Sequence, residues 1–115
     1  GLIKGTVRPF KTVQEEDIYK LKVPHVGWNN FKKFKSQTNS PFSDIFEKDQ
    51  MYFVHSFFCD VQSENNVLAT TQYGQQEFHS VIHKESIYGC QFHPERSGKK
   101  GLNILNNFAY TNKKP

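Results

Sequence analysis

Cysteine is scarce in this chain of 115 residues, which has only Cys59 and Cys90, and neither has a Cys-x-x-Cys neighbour. Two cysteines are too few for a secreted disulfide framework at this length. Both sit in apolar, strand-like runs, so buried reduced thiols are expected. Long hydrophobic runs are also missing. None approaches the roughly 20 residues of a membrane span, and no signal peptide stands at the N-terminus, so a soluble, cytoplasmic protein with no membrane partner is expected. There is no internal repeat and no low-complexity segment. A long basic block is absent as well: the net charge is +4, but the lysines are dispersed along the chain and no nucleic-acid motif accompanies them. A solvated surface is the better reading, and no nucleic-acid partner is expected. The first residue is Gly1 rather than Met, and strand and turn chemistry follows at once, which leads us to expect part of a longer protein.

What the chain does have is apolar residues to 36%, with 11 Phe among them, enough for one core. A short strand is predicted over residues 5–8, stopped by Pro9. Residues 12–16 read as a turn and 18–23, alternating with period two, as a strand. Pro24 and Gly27 bracket a bend that holds the only Trp, Trp28. Phe31 and Phe34, with lysines between them, continue as an edge strand. Residues 41–46 have the spacing of one helical turn carrying Phe42, Ile45 and Phe46 inward. The continuous apolar run 51–59 is expected to be one buried central strand. Strands are predicted at 67–73 and 78–82, with a turn at 84–86 before the next strand. Residues 102–109 predict a helix burying Leu102, Leu105, Phe108 and Ala109.

The run 87–98, Ile-Tyr-Gly-Cys-Gln-Phe-His-Pro-Glu-Arg-Ser-Gly, carries the chemistry. Pro94 restrains His93 to the extended region, so the tripeptide His93-Pro94-Glu95 is expected to be stretched, with residues two apart on one face. Glu95 would then hydrogen-bond the His93 ring, fix its tautomer and stabilise its charged form. That is the base and orienter of a nucleophilic triad. The tripeptide alone leaves open an incidental turn histidine. Its setting, after an apolar strand and before Ser-Gly and a helix, favours the catalytic reading. His79 and His83 are four apart, but on a strand their Cα atoms lie about 13 Å apart, too far for one ion, so no metal site is expected.

This run resembles the end of the active site in class I glutamine amidotransferases, whose catalytic His and Glu occupy a His-Pro-Glu of this form. With Pro24-His-Val-Gly-Trp-Asn29 and Tyr52-Phe-Val-His-Ser56, the resemblance extends along nearly the whole chain. Within the class it is most similar to the glutaminase subunits of imidazole glycerol phosphate synthases, departing from their usual pattern at Val26, Phe57 and Arg96. The resemblance implies the following. The fold is α/β, the chain being the C-terminal, strand-rich portion of a single flavodoxin-like amidotransferase domain with a closing helix. His93 and Glu95 are catalytic. His55, Ser56 and Phe57 bind glutamine. Trp28, Asn29 and Arg96 face the synthase (cyclase) subunit, with which the protein pairs as a heterodimer in histidine biosynthesis. No metal or organic cofactor is implied. In this family the nucleophilic cysteine sits at a tight strand-to-helix turn between glycines. Neither Cys59, between Phe58 and Asp60, nor Cys90, expected on the face opposite His93, fits. The nucleophile is therefore expected outside this chain, and the chain alone is expected to be inactive. Two other readings stand: a paralogous amidotransferase feeding a sugar-modifying synthetase, and a catalytically silent binding module.

Overall fold

A computed structural model describes residues 2–10, 22–35 and 40–113, with side chains as far as residue 110. One long strand, β7 (Gln76–Lys84), organises the larger sheet. One of its edges pairs antiparallel with β6 (Val67–Tyr73), with a register shift around Ala69. The other edge is shared. β5 (Phe57–Val61) meets it at Cys59↔His79, and β8 (Ile87–Cys90) pairs from Val81↔Cys90 to Lys84↔Ile87. β1 (Gly5–Pro9) adds outside β5, and the two-residue β3 (Lys33–Phe34) adds outside β6. The reversal from β7 to β8 turns through Glu85, whose φ of 57° lies in the left-handed region that tight hairpins require. A separate antiparallel ribbon consists of β2 (His25–Asn30) and β4 (Gln50–His55).

Ribbon, sheet and helix close on an aromatic core. Six of the eleven phenylalanines, Phe10, Phe31, Phe42, Phe53, Phe78 and Phe92, are buried there with Met51, Leu68, Val81 and Ile104. Their rings meet edge to face: Phe53 lies 5.9 Å from Phe78 and 5.7 Å from Phe92, and Phe31 lies 5.7 Å from Phe92. At roughly 1.5–3 kcal/mol per fully buried large side chain, this cluster is the main driving force for folding.

The structure bears out the strands at 5–8, 67–73 and 78–82, the edge position of Phe34, and the turn at 84–86, but β1 runs on through Pro9, and Phe31 lies outside the edge strand and is buried. The turn at 12–16 and most of the strand at 18–23 lie outside the described residues. Elsewhere the structure differs. The run 51–59 is two strands, because the chain bends at Ser56 and passes from ribbon to sheet. On β4, Met51, Phe53 and His55 point inward, whereas Val54 is exposed. A continuous apolar run here marks a strand with an apolar outer face rather than one covered on both faces. The Pro-Gly bend around Trp28 is strand β2, whose outward residues Val26 and Trp28 pair across to Val54 and Tyr52. Of the turn at 41–46, Phe42 and Ile45 are buried, but Phe46 is exposed beneath the Lys100 ammonium, 5.2 Å from the ring centre. Cys59 and Cys90 are free thiols on β5 and β8, half-buried rather than fully buried.

The closing helix α1 (Gly98–Lys113) begins earlier than expected and shows a different face to the core. Gly101 and Ile104 are buried, while Leu102, Leu105 and Phe108 are 50%, 42% and 40% exposed. Gly101 sets this rotation. A Cβ there would stand 2.1 Å from the Pro94 carbonyl oxygen and 2.7 Å from Ser97 Cβ, so only glycine lets the helix lie against the preceding turn. Gly101→Ala should therefore destabilise the fold by about 1–3 kcal/mol through overpacking, measured as a shift in the urea midpoint. An unchanged midpoint would contradict this account of the helix rotation.

Candidate functional site

The segment after β8 is stitched to β4 rather than left as a loop. The His93 N–H donates to the Tyr52 carbonyl at 3.0 Å, continuing the ribbon's hydrogen bonding by one strand-like link. His93 is extended, at φ −99° and ψ 101°, and caps a 3-10 turn, Pro94–Arg96. Proline suits the first position of that turn because its φ is preset and it has no N–H to satisfy. The expectation of a stretched tripeptide is thus corrected: extension stops at His93. The turn carries Glu95 back toward the ring, where Nδ1 of His93 lies 2.8 Å from Oε1 of Glu95. Sequence reasoning predicted the contact but not the geometry that makes it.

Ser97, which sequence reasoning did not assign a role, holds this turn in place. Its hydroxyl donates to the His93 carbonyl at 2.6 Å and accepts from the Tyr52 N–H at 3.0 Å, and the residue is buried. The signal was present in the motif as a hydroxyl two residues past the carboxylate, but only the strand alongside reveals its partner. Both backbone polar groups of Tyr52 are therefore spent on holding the segment that presents His93.

The electrostatics select one tautomer. Desolvation of Glu95 acts to raise its pKa, but hydrogen bonds from His93 and from its own backbone N–H, with the charges of His93 and Arg96, together outweigh it and hold the carboxyl below the usual carboxylate range. An ionised carboxylate only accepts, so Nδ1 of His93 carries a hydrogen, and in the neutral form of the ring Nε2 presents a lone pair. Both side chains remain about half exposed. The arrangement can take up a proton at Nε2 and return it.

Of the residues expected to bind glutamine, His55 ends β4, Ser56 is the bend and Phe57 opens β5 with its side chain exposed. Trp28 is exposed on the ribbon's outer face, 5.9 Å from the ring of Tyr52, and so lies one strand over from His93. Arg96 is exposed in the turn. Asn29 is different: its side chain turns inward to His25 and to the Gln72 carbonyl. No role was expected of His25, which stands opposite His55 in the ribbon register and is buried against it, Nδ1 of His25 lying 3.0 Å from Nε2 of His55. Strand alternation, which sends both rings inward, was the available signal. Burial, reinforced by the neighbouring His55, lowers the pKa of His25 to about 4. Burial also lowers that of His55, against its bond to the Phe57 carbonyl and with help from the His93 charge.

The cysteines lie apart from this chemistry. The Cys90 thiol donates to the Phe92 carbonyl at 3.6 Å, and burial, with the Glu95 charge, pushes its pKa up to about 12. Burial of this kind disfavours the thiolate, the form in which a cysteine attacks. His79 accepts from the Val61 N–H and His83 stacks on Tyr88. Among the described residues no group of three or more His, Cys, Asp or Glu could hold a metal ion, and no helix is long and apolar enough to cross a membrane.

The family model for glutamine amidotransferase class-I matches residues 9–112. The chain belongs to that family. Its sheet and closing helix are accordingly a portion of the family's flavodoxin-like α/β domain. It is 49% identical over 109 residues to the imidazole glycerol phosphate synthase subunit HisH of Methanosarcina barkeri, covering 94% of this chain and 50% of that one. The subunit HisH of Methanocaldococcus jannaschii is 43% identical over 110 residues, 95% of this chain and 50% of its own length. That of Bacillus subtilis is 40% identical over 109 residues, 95% and 49%. The chain spans about half the length of the curated relatives it matches.

The buried histidines predict how stability depends on pH. A folded-state pKa below the unfolded value near 6.5 means that the unfolded chain binds more protons, so the stabilisation is complete above that value and is lost as pH falls toward about 4. From His25 alone, unfolding free energy should drop by about 2 kcal/mol between pH 7 and pH 5. Urea unfolding at the two pH values measures it, and a His25→Phe variant should show a shallower dependence. A flat wild-type profile would mean that His25 is not held neutral.

Proposed function

We propose that this chain is the C-terminal, base-bearing portion of a single glutaminase domain, the glutamine-hydrolysing subunit of an imidazole glycerol phosphate synthase. The observation that carries the reading is the 2.8 Å contact of His93 Nδ1 with Glu95 Oε1 on a turn pinned to β4. In the reaction, a cysteine thiol in the rest of the protein gives its proton to Nε2 of His93, and the thiolate attacks the side-chain amide carbon of glutamine. His93 passes that proton to the departing ammonia, leaving a thioester. His93 then takes a proton from water, which attacks the thioester; glutamate is released, and His93 returns the proton to the departing thiolate. Glu95 keeps the imidazole in the required tautomer throughout.

His55, Ser56 and Phe57 form the strand end that receives the α-amino acid part of glutamine. Trp28 and Arg96, with the backbone of Asn29, lie toward the synthase (cyclase) subunit, which takes up the ammonia in a cytoplasmic heterodimer serving histidine biosynthesis. The exposed pairing of Trp28 with Tyr52, beside His93, supports an interface next to the catalytic base. The reaction needs no metal or organic cofactor in this portion.

In the full-length protein His93→Ala should reduce glutamine turnover by several orders of magnitude, and Glu95→Gln by less, because His93 then keeps part of its orientation. The 115-residue chain alone should release no ammonia from glutamine. Turnover by the short chain that Cys90→Ser abolishes would place the nucleophile here and overturn the reading.

A further inference from the structure

We infer that Asn29, His25 and His55 form one proton-ordered chain of hydrogen bonds that positions the bend at Ser56–Phe57, so that Asn29 acts inward, through the histidines, as a positioning residue. The inference rests on the proposed function only in calling that bend the glutamine-binding strand end. The chain is anchored at each end by a backbone carbonyl, which can only accept. At one end the Asn29 amide nitrogen donates to the Gln72 carbonyl at 2.9 Å, while its oxygen accepts from the Asn30 N–H at 2.9 Å, so the amide can stand only one way round. The same nitrogen lies 3.3 Å from Nε2 of His25, which must therefore accept. At the other end Nδ1 of His55 lies 2.9 Å from the Phe57 carbonyl and must donate. A neutral ring has one N–H, so Nε2 of His55 accepts from Nδ1 of His25 across 3.0 Å.

Every nitrogen in the chain thus has a partner in only one arrangement. An extra proton on either ring would set two N–H groups against each other, at Asn29 for His25 or at His25 for His55. The rings cannot swing out of line. His25 is sandwiched between Phe53, 4.9 Å away, and Tyr73, 4.0 Å away, and Phe10 packs on His55 at 5.1 Å. The titratable groups facing the pair are Tyr73, stacked on His25, and His93, whose charge acts on His55. At the far end, the Phe57 carbonyl is held by His55 and the Ser56 carbonyl by the Phe10 N–H at 3.2 Å. The backbone that turns from β4 into β5 is therefore clamped on consecutive residues.

Imidazole nitrogen NMR on the full-length protein reads the chain directly. Between pH 6 and pH 8, both His25 and His55 should be neutral and carry hydrogen at Nδ1. A hydrogen at Nε2 of either ring, or a charged ring at pH 6.5, would overturn the proposal. Asn29→Ala removes the N–H that opposes a proton at Nε2 of His25, so that ring should take up a proton at higher pH, while its Nδ1 still carries hydrogen because Nε2 of His55 accepts from it. KM for glutamine should then rise by about 3- to 10-fold with kcat changed less than about 2-fold. If instead affinity for the synthase subunit falls while KM and the His25 titration stay unchanged, Asn29 is a partner contact and the positioning role is wrong. Should the full-length wild type hydrolyse no glutamine, the function proposed above fails, whereas the spectra still decide whether the chain is ordered as described.

Discussion

The seam between Tyr52 and the segment 93–97 is the constraint on which the site depends. Three hydrogen bonds make it: His93 N–H to Tyr52 carbonyl, Tyr52 N–H to Ser97 hydroxyl, and Ser97 hydroxyl to His93 carbonyl. Each is individually modest, about 1 kcal/mol net, but losing Ser97 would leave the Tyr52 N–H without its partner at added cost. The seam fixes the position of a 3-10 turn that would otherwise be free to move, and the turn fixes the separation of ring and carboxylate. Gly101 completes it from the other side by letting α1 rest directly on the Pro94 carbonyl. Orientation of the base is thus a property of strand, turn and helix together.

How far the site was legible follows from which of its determinants are local. His93 and Glu95 were readable because proline restricts its neighbours and the two residues are close in sequence, although the geometry joining them is a turn rather than an extended strand. The Ser97 clamp and the His25–His55 pair were not readable. Both depend on which strand lies alongside, and the register of β2 on β4 and of residues 93–97 on β4 is set by contacts distant in sequence. The helix shows the same limit. Its apolar residues predict a stripe, but a glycine packed on a carbonyl chose another face.

The outward faces of ribbon and helix share one feature. Val26, Trp28 and Val54 on the ribbon and Leu102, Leu105 and Phe108 on the helix are apolar and exposed. Covering such faces is what the remainder of an α/β domain or a partner subunit would do, and the match to about half the length of the relatives accords with that. The inward faces of the same elements carry the buried histidines and the aromatic core. The ribbon therefore has one side that holds the candidate site and one apolar side that is exposed.

The central claim is that His93 is the proton-transferring base of glutamine hydrolysis. Chemical rescue tests it most directly, because the wild-type imidazole is about half exposed and its removal opens a space that solvent imidazole can enter. Glutamine turnover by full-length His93→Ala would be measured with increasing free imidazole. The account predicts near-zero turnover without imidazole and a partial recovery that follows the neutral imidazole concentration. Wild-type turnover by His93→Ala in the absence of imidazole would contradict it.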